Sequence, residues 1–198
     1  MALPSVQDVR ALHEKYAPTR DALDLVHTHC EVVSRIALDL AARSGLRVDT
    51  GLVEIGALVH DIGVYRVGTG PYIRHGVLGY EILRAEGLPE SLCRFASHHT
   101  GVGLTRRDIL RRRLPLPLDD YLAETVEERL VMYADKFHSK TSPPRFLDVA
   151  AYTDHVARFG PEKVAAFTEL VAEFGEPDLA PFVAEYGHAH HSGVPEHR

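Results

Sequence analysis

Apolar positions recur at three- and four-residue intervals along most of this chain, a spacing that predicts helices. The clearest run is Thr19 to Arg43, where Leu25, His29, Val32, Val33, Ile36 and Leu40 share one stripe and Gly45 stands at the C-cap position. Ahead of it, Ser5 with Asp8 three residues on marks a short helix to about Tyr16, ending before Pro18. Asp49 caps a third helix carrying Leu52, Ile55, Leu58, Val59 and His60, after which Gly63, Gly68, Gly70 and Pro71 impose a loop. Helix signals resume with His75, Val77, Leu78, Ile82 and Leu83 before Gly87, and Pro89 starts a segment running to His98 or His99.

The second half reads less evenly. Gly101 to Ala123 is rich in glycine, proline and arginine, so it is expected to be mostly irregular, with a short helical turn near Arg107 to Leu110. Thr125 and Glu128 form a capping-box pair opening a helix that ends near His138, before Pro143 and Pro144. Helices over Phe146 to Phe159 and Pro161 to Phe174, a short piece from Asp178 to Tyr186 and a flexible His-rich tail over 188–198 complete the pattern. No alternating run competes, and no repeat or linker divides the chain. The expectation is an all-α bundle of about seven to nine helices forming one domain over residues 1–187.

Composition narrows the function classes. Apolar residues make up 45% and charged residues 25%, ordinary globular values. With 28 acidic against 22 basic side chains the net charge is −6, which argues against broad nucleic-acid binding. Cys30 and Cys93 form no Cys-x-x-Cys pair and suggest neither a disulfide framework nor a thiolate zinc site. No leader or membrane segment is read, so a cytoplasmic protein is expected. The oligomeric state stays open between monomer and homodimer.

What changes the picture is 13 histidines, because neutral imidazole is the commonest nitrogen ligand for transition metals. His29 lies on an apolar stripe, where an imidazole without a partner costs stability. His60 and Asp61 sit together at a helix end, His75 opens the next helix, His98 and His99 close another, and Asp135 lies near a further end. Imidazole and carboxylate without thiolate suit iron, manganese, zinc, nickel or cobalt better than calcium or magnesium alone. The terminal His188, His190 and His191 receive no catalytic role, and His27, two residues from His29, points to a different face.

The segments His29-Cys-Glu-Val-Val, His60-Asp61-Ile62-Gly63, His75-Gly-Val-Leu-Gly79, His99-Thr-Gly and Ala134-Asp135-Lys136 closely resemble the HD superfamily of metal-dependent phosphohydrolases, in its HDIG subgroup. The likeness covers roughly residues 20 to 140. Leu116-Pro-Leu-Asp-Asp-Tyr before Thr125 also looks like small stand-alone HDIG proteins of unassigned substrate. The resemblance implies that His29, His60, Asp61 and Asp135 form a core metal site, and that His75 and His99 add a second ion bridged by Asp61. It implies catalytic roles for Asp61, His75 and His99. Many family hydrolases carry a lysine soon after the HD pair, whereas this chain offers Arg66.

The expected activity is hydrolysis of a phosphate ester or anhydride in a nucleotide or similar small metabolite by metal-activated water. Arg66, Arg74, Arg106 and Lys136 are the candidate substrate cations. Two alternatives use the same residues: a di-iron oxygenase, since relatives on this scaffold activate oxygen, and a metal-stabilised module that binds a nucleotide without turnover.

Overall fold

The computed structural model describes residues 3–193. It holds ten α-helices in order: α1 (Val6–Tyr16), α2 (Arg20–Ser44), α3 (Thr50–Val59), α4 (His75–Ala85), α5 (Glu90–Ser97), α6 (Arg106–Arg112), α7 (Val126–Ala134), α8 (Val149–Val156), α9 (Pro161–Phe174) and α10 (Ala180–Tyr186). The architecture is all-α, as expected, with a small sheet of three short strands, β1 (His138–Ser139), β2 (Arg145–Leu147) and β3 (Ala189–His191).

Local chemistry sets the helix boundaries. Ser5 and Asp8 close a reciprocal capping box on α1, as Thr125 and Glu128 do on α7, each satisfying amide donors at a helix start. Thr19 and Asp49 cap α2 and α3 through their side chains. Gly45 ends α2 in the left-handed region at φ 68°, a conformation that costs glycine nothing.

α2 is the spine of the fold. Twelve of its 25 residues are buried, among them Val32, Val33, Ile36 and Leu40, and it packs on α1, α3, α7 and α9. One hydrophobic core runs from Val9 in α1 to Phe182 in α10, with Tyr133, Phe137, Phe167 and Phe174 clustered as an aromatic layer. A smaller cluster of Leu104, Ile109 and Tyr121 fastens the α5–α7 connection.

Three stretches differ from the sequence expectation. Residues 101–123 hold a helix longer than the expected turn, α6, opened by a Thr105–Asp108 capping box that the surrounding glycines and prolines hide. The helix expected from Phe146 divides: Phe146 belongs to β2, and α8 begins only after Asp148, which caps it at the Ala151 amide. The His-rich tail is not free from residue 188, because Ala189–His191 pair in parallel with β2. A three-residue strand carries too short a pattern to be read, and its pairing depends on a neighbour 44 residues away. The rest of that expected tail, 194–198, lies outside the described residues.

Candidate metal centre

The chain brings the ends of several helices to one side of α2. His29 projects from within α2, His60 is the C-cap of α3, and Asp61 follows it into a 3₁₀ turn over Ile62–Arg66. His75 opens α4, His99 follows α5, and Asp135 is the C-cap of α7. The 3₁₀ turn lies hard against α4: a Cβ on Gly63 would be driven into the His75 carbonyl and the Gly79 amide. Glycine at 63 therefore lets Asp61 and His75 share a site.

Two groups of ligand atoms result, and Asp61 belongs to both. His29, His60, Asp61 and Asp135 each offer one atom, all within 4.8 Å of one another, and so do Asp61, His75 and His99. His29 Nε2 lies 3.0 Å from Asp135 Oδ1 and 3.2 Å from Asp61 Oδ2. His75 Nε2 and His99 Nε2 each lie 3.6 Å from the other carboxylate oxygen, Asp61 Oδ1.

Hydrogen bonds fix which nitrogen faces inward. The Nδ1 atoms of His60, His75 and His99 lie 2.6, 2.8 and 2.9 Å from the carbonyls of Ala57, Tyr72 and Phe95. A carbonyl only accepts, so each Nδ1 carries the proton and each Nε2 presents a lone pair to the centre. Burial keeps the His75 and His99 imidazoles deprotonated below their ordinary range, His99 down to about 4.

This arrangement fits a divalent cation. His75 Nε2 and His99 Nε2 stand 3.0 Å apart with two lone pairs facing, and His60 Nε2 and Asp61 Oδ1 are buried without a hydrogen-bond donor. Lone pairs held this way repel unless a cation lies among them. Nitrogen and carboxylate donors in closed clusters suit a transition ion. Burial opposes charge on Asp61, yet the Lys140 ammonium holds its carboxyl well below the usual range. Asp135 is likewise held down, by Lys136 against the cost of burial.

A cavity of about 850 Å³ opens over His75, His99 and Asp135. Its walls are apolar in part, with Leu25, Ile73, Leu104 and Phe159, and its cationic side chains are Arg112, Lys136, Lys140, Arg145 and Lys163. Asp135 pairs with Lys136, and Asp61 and Asp108 pair with Lys140 and Lys163, so Arg112 and Arg145 leave the cavity electropositive in a chain of net charge −6. Leu25, placed on the core stripe by its spacing, is a wall of this cavity and is 39% exposed.

Of the four cations expected to meet substrate, only Lys136 lines the cavity, where its Nζ donates to the His99 carbonyl and to Asp135. Arg106 pairs with Asp119 and Asp120 at the surface, and Arg66 and Arg74 are exposed and away from the cavity walls. Arg112, in the arginine-rich stretch expected to be mostly irregular, lies over the Phe159 ring and lines the cavity. Lys140 and Arg145 carried no sequence signal, since they flank a turn whose direction only the sheet fixes.

Neighbouring histidines sort clearly. His99 joins the cluster, while His98 turns away to Ser97 and Tyr121. His27 is buried against His13 and outside both ligand groups. His138 and His188, given no role from sequence, continue the site outward: His138 lies 2.9 Å from His29 Nδ1 on one side and 2.9 Å from His188 Nδ1 on the other.

An uncharacterized protein of Methanocaldococcus jannaschii is 44% identical over 110 residues, 54% of this chain and 62% of that protein. A tRNA (cytidine(56)-2'-O)-methyltransferase of Picrophilus torridus is 35% identical over 135 residues, and that of Thermoplasma volcanium 35% over 133. The matches cover 63% and 67% of this chain but only 38% and 36% of those longer proteins. Among solved structures, the HD domain of the L. monocytogenes phosphodiesterase PgpH shares the fold at a TM-score of 0.50 and 15% identity, over 90% of this chain and 98% of that one. The same domain in complex with cyclic-di-AMP gives 0.51. Residues 26–140 match the HD domain, a span that holds every residue of both ligand groups, and the chain belongs to the HD domain family.

Proposed function

We propose that this chain is a metal-dependent phosphohydrolase acting on a phosphate ester or anhydride of a nucleotide or similar small metabolite. The observation that carries the reading is one carboxylate, Asp61, shared by two ligand groups beneath an electropositive cavity. His29, His60, Asp61 and Asp135 would hold one ion of iron, manganese, cobalt, nickel or zinc, and Asp61, His75 and His99 a second. Bound there, such ions supply a water of lowered pKa and polarise a phosphoryl oxygen.

The chain's own side chains do the rest. Lys136 locks Asp135 and the His99 carbonyl in place, so the floor of the cavity is preorganised. Arg145 and Arg112 offer charge to phosphate oxygens farther out. Leu25, Ile73 and Leu104 give an apolar wall against which a base or similar group can lie while water is excluded. The methyl transfer named for the longer relatives is not carried over, because the matched share of those proteins is 38% or less. Cys30 and Cys93, both buried and free, support a reducing, cytoplasmic setting. Among the described residues no helix is long and apolar enough to cross a membrane.

The test is turnover of manganese-, iron- and cobalt-loaded protein on a panel of nucleoside mono-, di- and triphosphates, dinucleoside polyphosphates and cyclic dinucleotides. Phosphate or nucleotide release that disappears in Asp61→Asn supports the reading. A folded, metal-loaded chain that releases neither from any member of the panel rejects it. Oxygen uptake by the iron-loaded protein would favour an oxygenase instead.

A further inference from the structure

Lys140 carries a positive charge that the metal centre does not need once it is loaded. Its Nζ contacts Asp61 Oδ2, the same oxygen that lies 3.2 Å from His29 Nε2 and 3.6 Å from His60 Nε2. An ammonium and a divalent cation on that oxygen repel strongly at such range. Binding of one therefore opposes the other.

The surroundings fix where the ammonium goes. Lys140 follows β1, and its turn is pinned by the Ser139–Arg145 and His138–Phe146 pairs, so the backbone is held and any change in the ammonium's position falls to its four-carbon side chain. That side chain is 14% exposed, lines the cavity and lies with Nζ 5.6 Å from the centre of the Tyr72 ring. The open volume beside it is the cavity itself, which Tyr72 and Arg145 also line.

We propose that Lys140 is a two-position cation: it neutralises Asp61, gives up that carboxylate when a divalent ion binds, and then holds the anionic group of the substrate in the cavity. The second position rests on the phosphohydrolase reading; the first does not. Arg66, the sequence's nearest cation after Asp61, is exposed and off the cavity, so Lys140 fills a role no sequence neighbour of Asp61 can.

Lys140→Met and Lys140→Arg test this on the full chain. Manganese titration of chelated protein, read by the signal of free Mn²⁺, should show affinity rising about tenfold in Lys140→Met, because the competing charge is gone. Binding of inorganic phosphate to manganese-loaded protein, read by calorimetry, should weaken about tenfold or more in Lys140→Met and recover in Lys140→Arg. Lys140→Gln replaces the methionine variant if the latter does not fold. Unchanged manganese affinity overturns the exchange, and phosphate affinity within about twofold of the parent overturns the substrate contact. A chain that hydrolyses nothing on the nucleotide panel yet shows both shifts rejects the hydrolase reading and supports the role of Lys140.

Discussion

The Nδ1 atoms of His29 and His138 face each other at 2.9 Å, and this contact sets His29 apart from the other histidines of the centre. His60, His75 and His99 are oriented by backbone carbonyls, which no substitution removes. His29 depends on a side chain. For His29 Nε2 to offer its lone pair, its Nδ1 donates to His138 Nδ1, and His138 Nε2–H then donates to His188 Nδ1. Burial among His29 and His188 presses the His138 imidazole down to about 2, so it stays a neutral acceptor. His138→Phe should therefore weaken manganese binding about tenfold to a hundredfold, and His188→Ala, one bond further out, by less. Equal affinity in His138→Phe and the parent would show that His29 is oriented by packing alone.

Metal removal should cost stability as well as activity. Asp61 and Asp135 are held ionised in a buried cluster, and a cation that binds the folded chain alone stabilises it by mass action. At a free manganese concentration of about a hundred times Kd the gain is about 2.7 kcal/mol. Chelation should lower the melting temperature, and returning manganese should restore it in the parent but not in Asp61→Asn. A melting temperature indifferent to chelator and manganese would exclude a resident ion.

Acid should loosen the junction between α1 and α3. His13 is fully buried, its Nε2 2.8 Å from the Leu58 carbonyl and its Nδ1 2.8 Å from the Tyr65 hydroxyl, with His27 edge-on beside it. Burial lowers its pKa from 6.5 to about 4. Above 6.5 both folded and unfolded chains hold it neutral. As pH falls below that, the unfolded chain takes the proton first, so stability declines and the loss levels off below about 4. The full loss is about 3 kcal/mol. His13→Gln keeps a donor for Leu58 without titrating, so its urea midpoint should fall less steeply over this window. Parallel pH profiles for parent and variant would contradict the assignment.

Most of the His and Asp cluster was legible because an ordered series of His, His-Asp, His, His and Asp depends little on exact helix ends. His29 on an apolar stripe and His60 beside Asp61 marked buried polar groups that need partners. The helix caps at Ser5, Asp49 and Thr125 were legible for a similar reason, since a cap is a contact across three residues. What escaped depends on distant pairing. Phe146 is apolar whether it faces a helix core or a strand face, and only β1 and β3 on either side decide for the strand. Lys140 looks like any cation in a loop until the β1–β2 turn carries it onto Asp61. His188 gains a role only because β3 lays it against His138, 50 residues away.

The cavity wall has its own buried ion pair, whose loss should be felt at the metal centre. Lys163 near the start of α9 donates to Asp108 Oδ2 and to the Gly103 carbonyl, both at 2.7 Å. It thereby ties α9 to α6 and to the loop that follows His99. Burial would raise the Asp108 carboxyl, but Lys163 and the Thr105 donors outweigh it and bring it to about 2. Removing one partner of such a pair leaves a buried charge uncompensated, so Lys163→Met should lose about 3–5 kcal/mol in urea unfolding at neutral pH. Asp108→Asn keeps the capping box on α6 without the charge, and adding it to Lys163→Met should return much of that loss. Phosphate binding should weaken in the single variant because Gly103 lines the cavity. If the double variant is no more stable than the single one, the cost lies in lost packing of the lysine stem and the charge pairing contributes little.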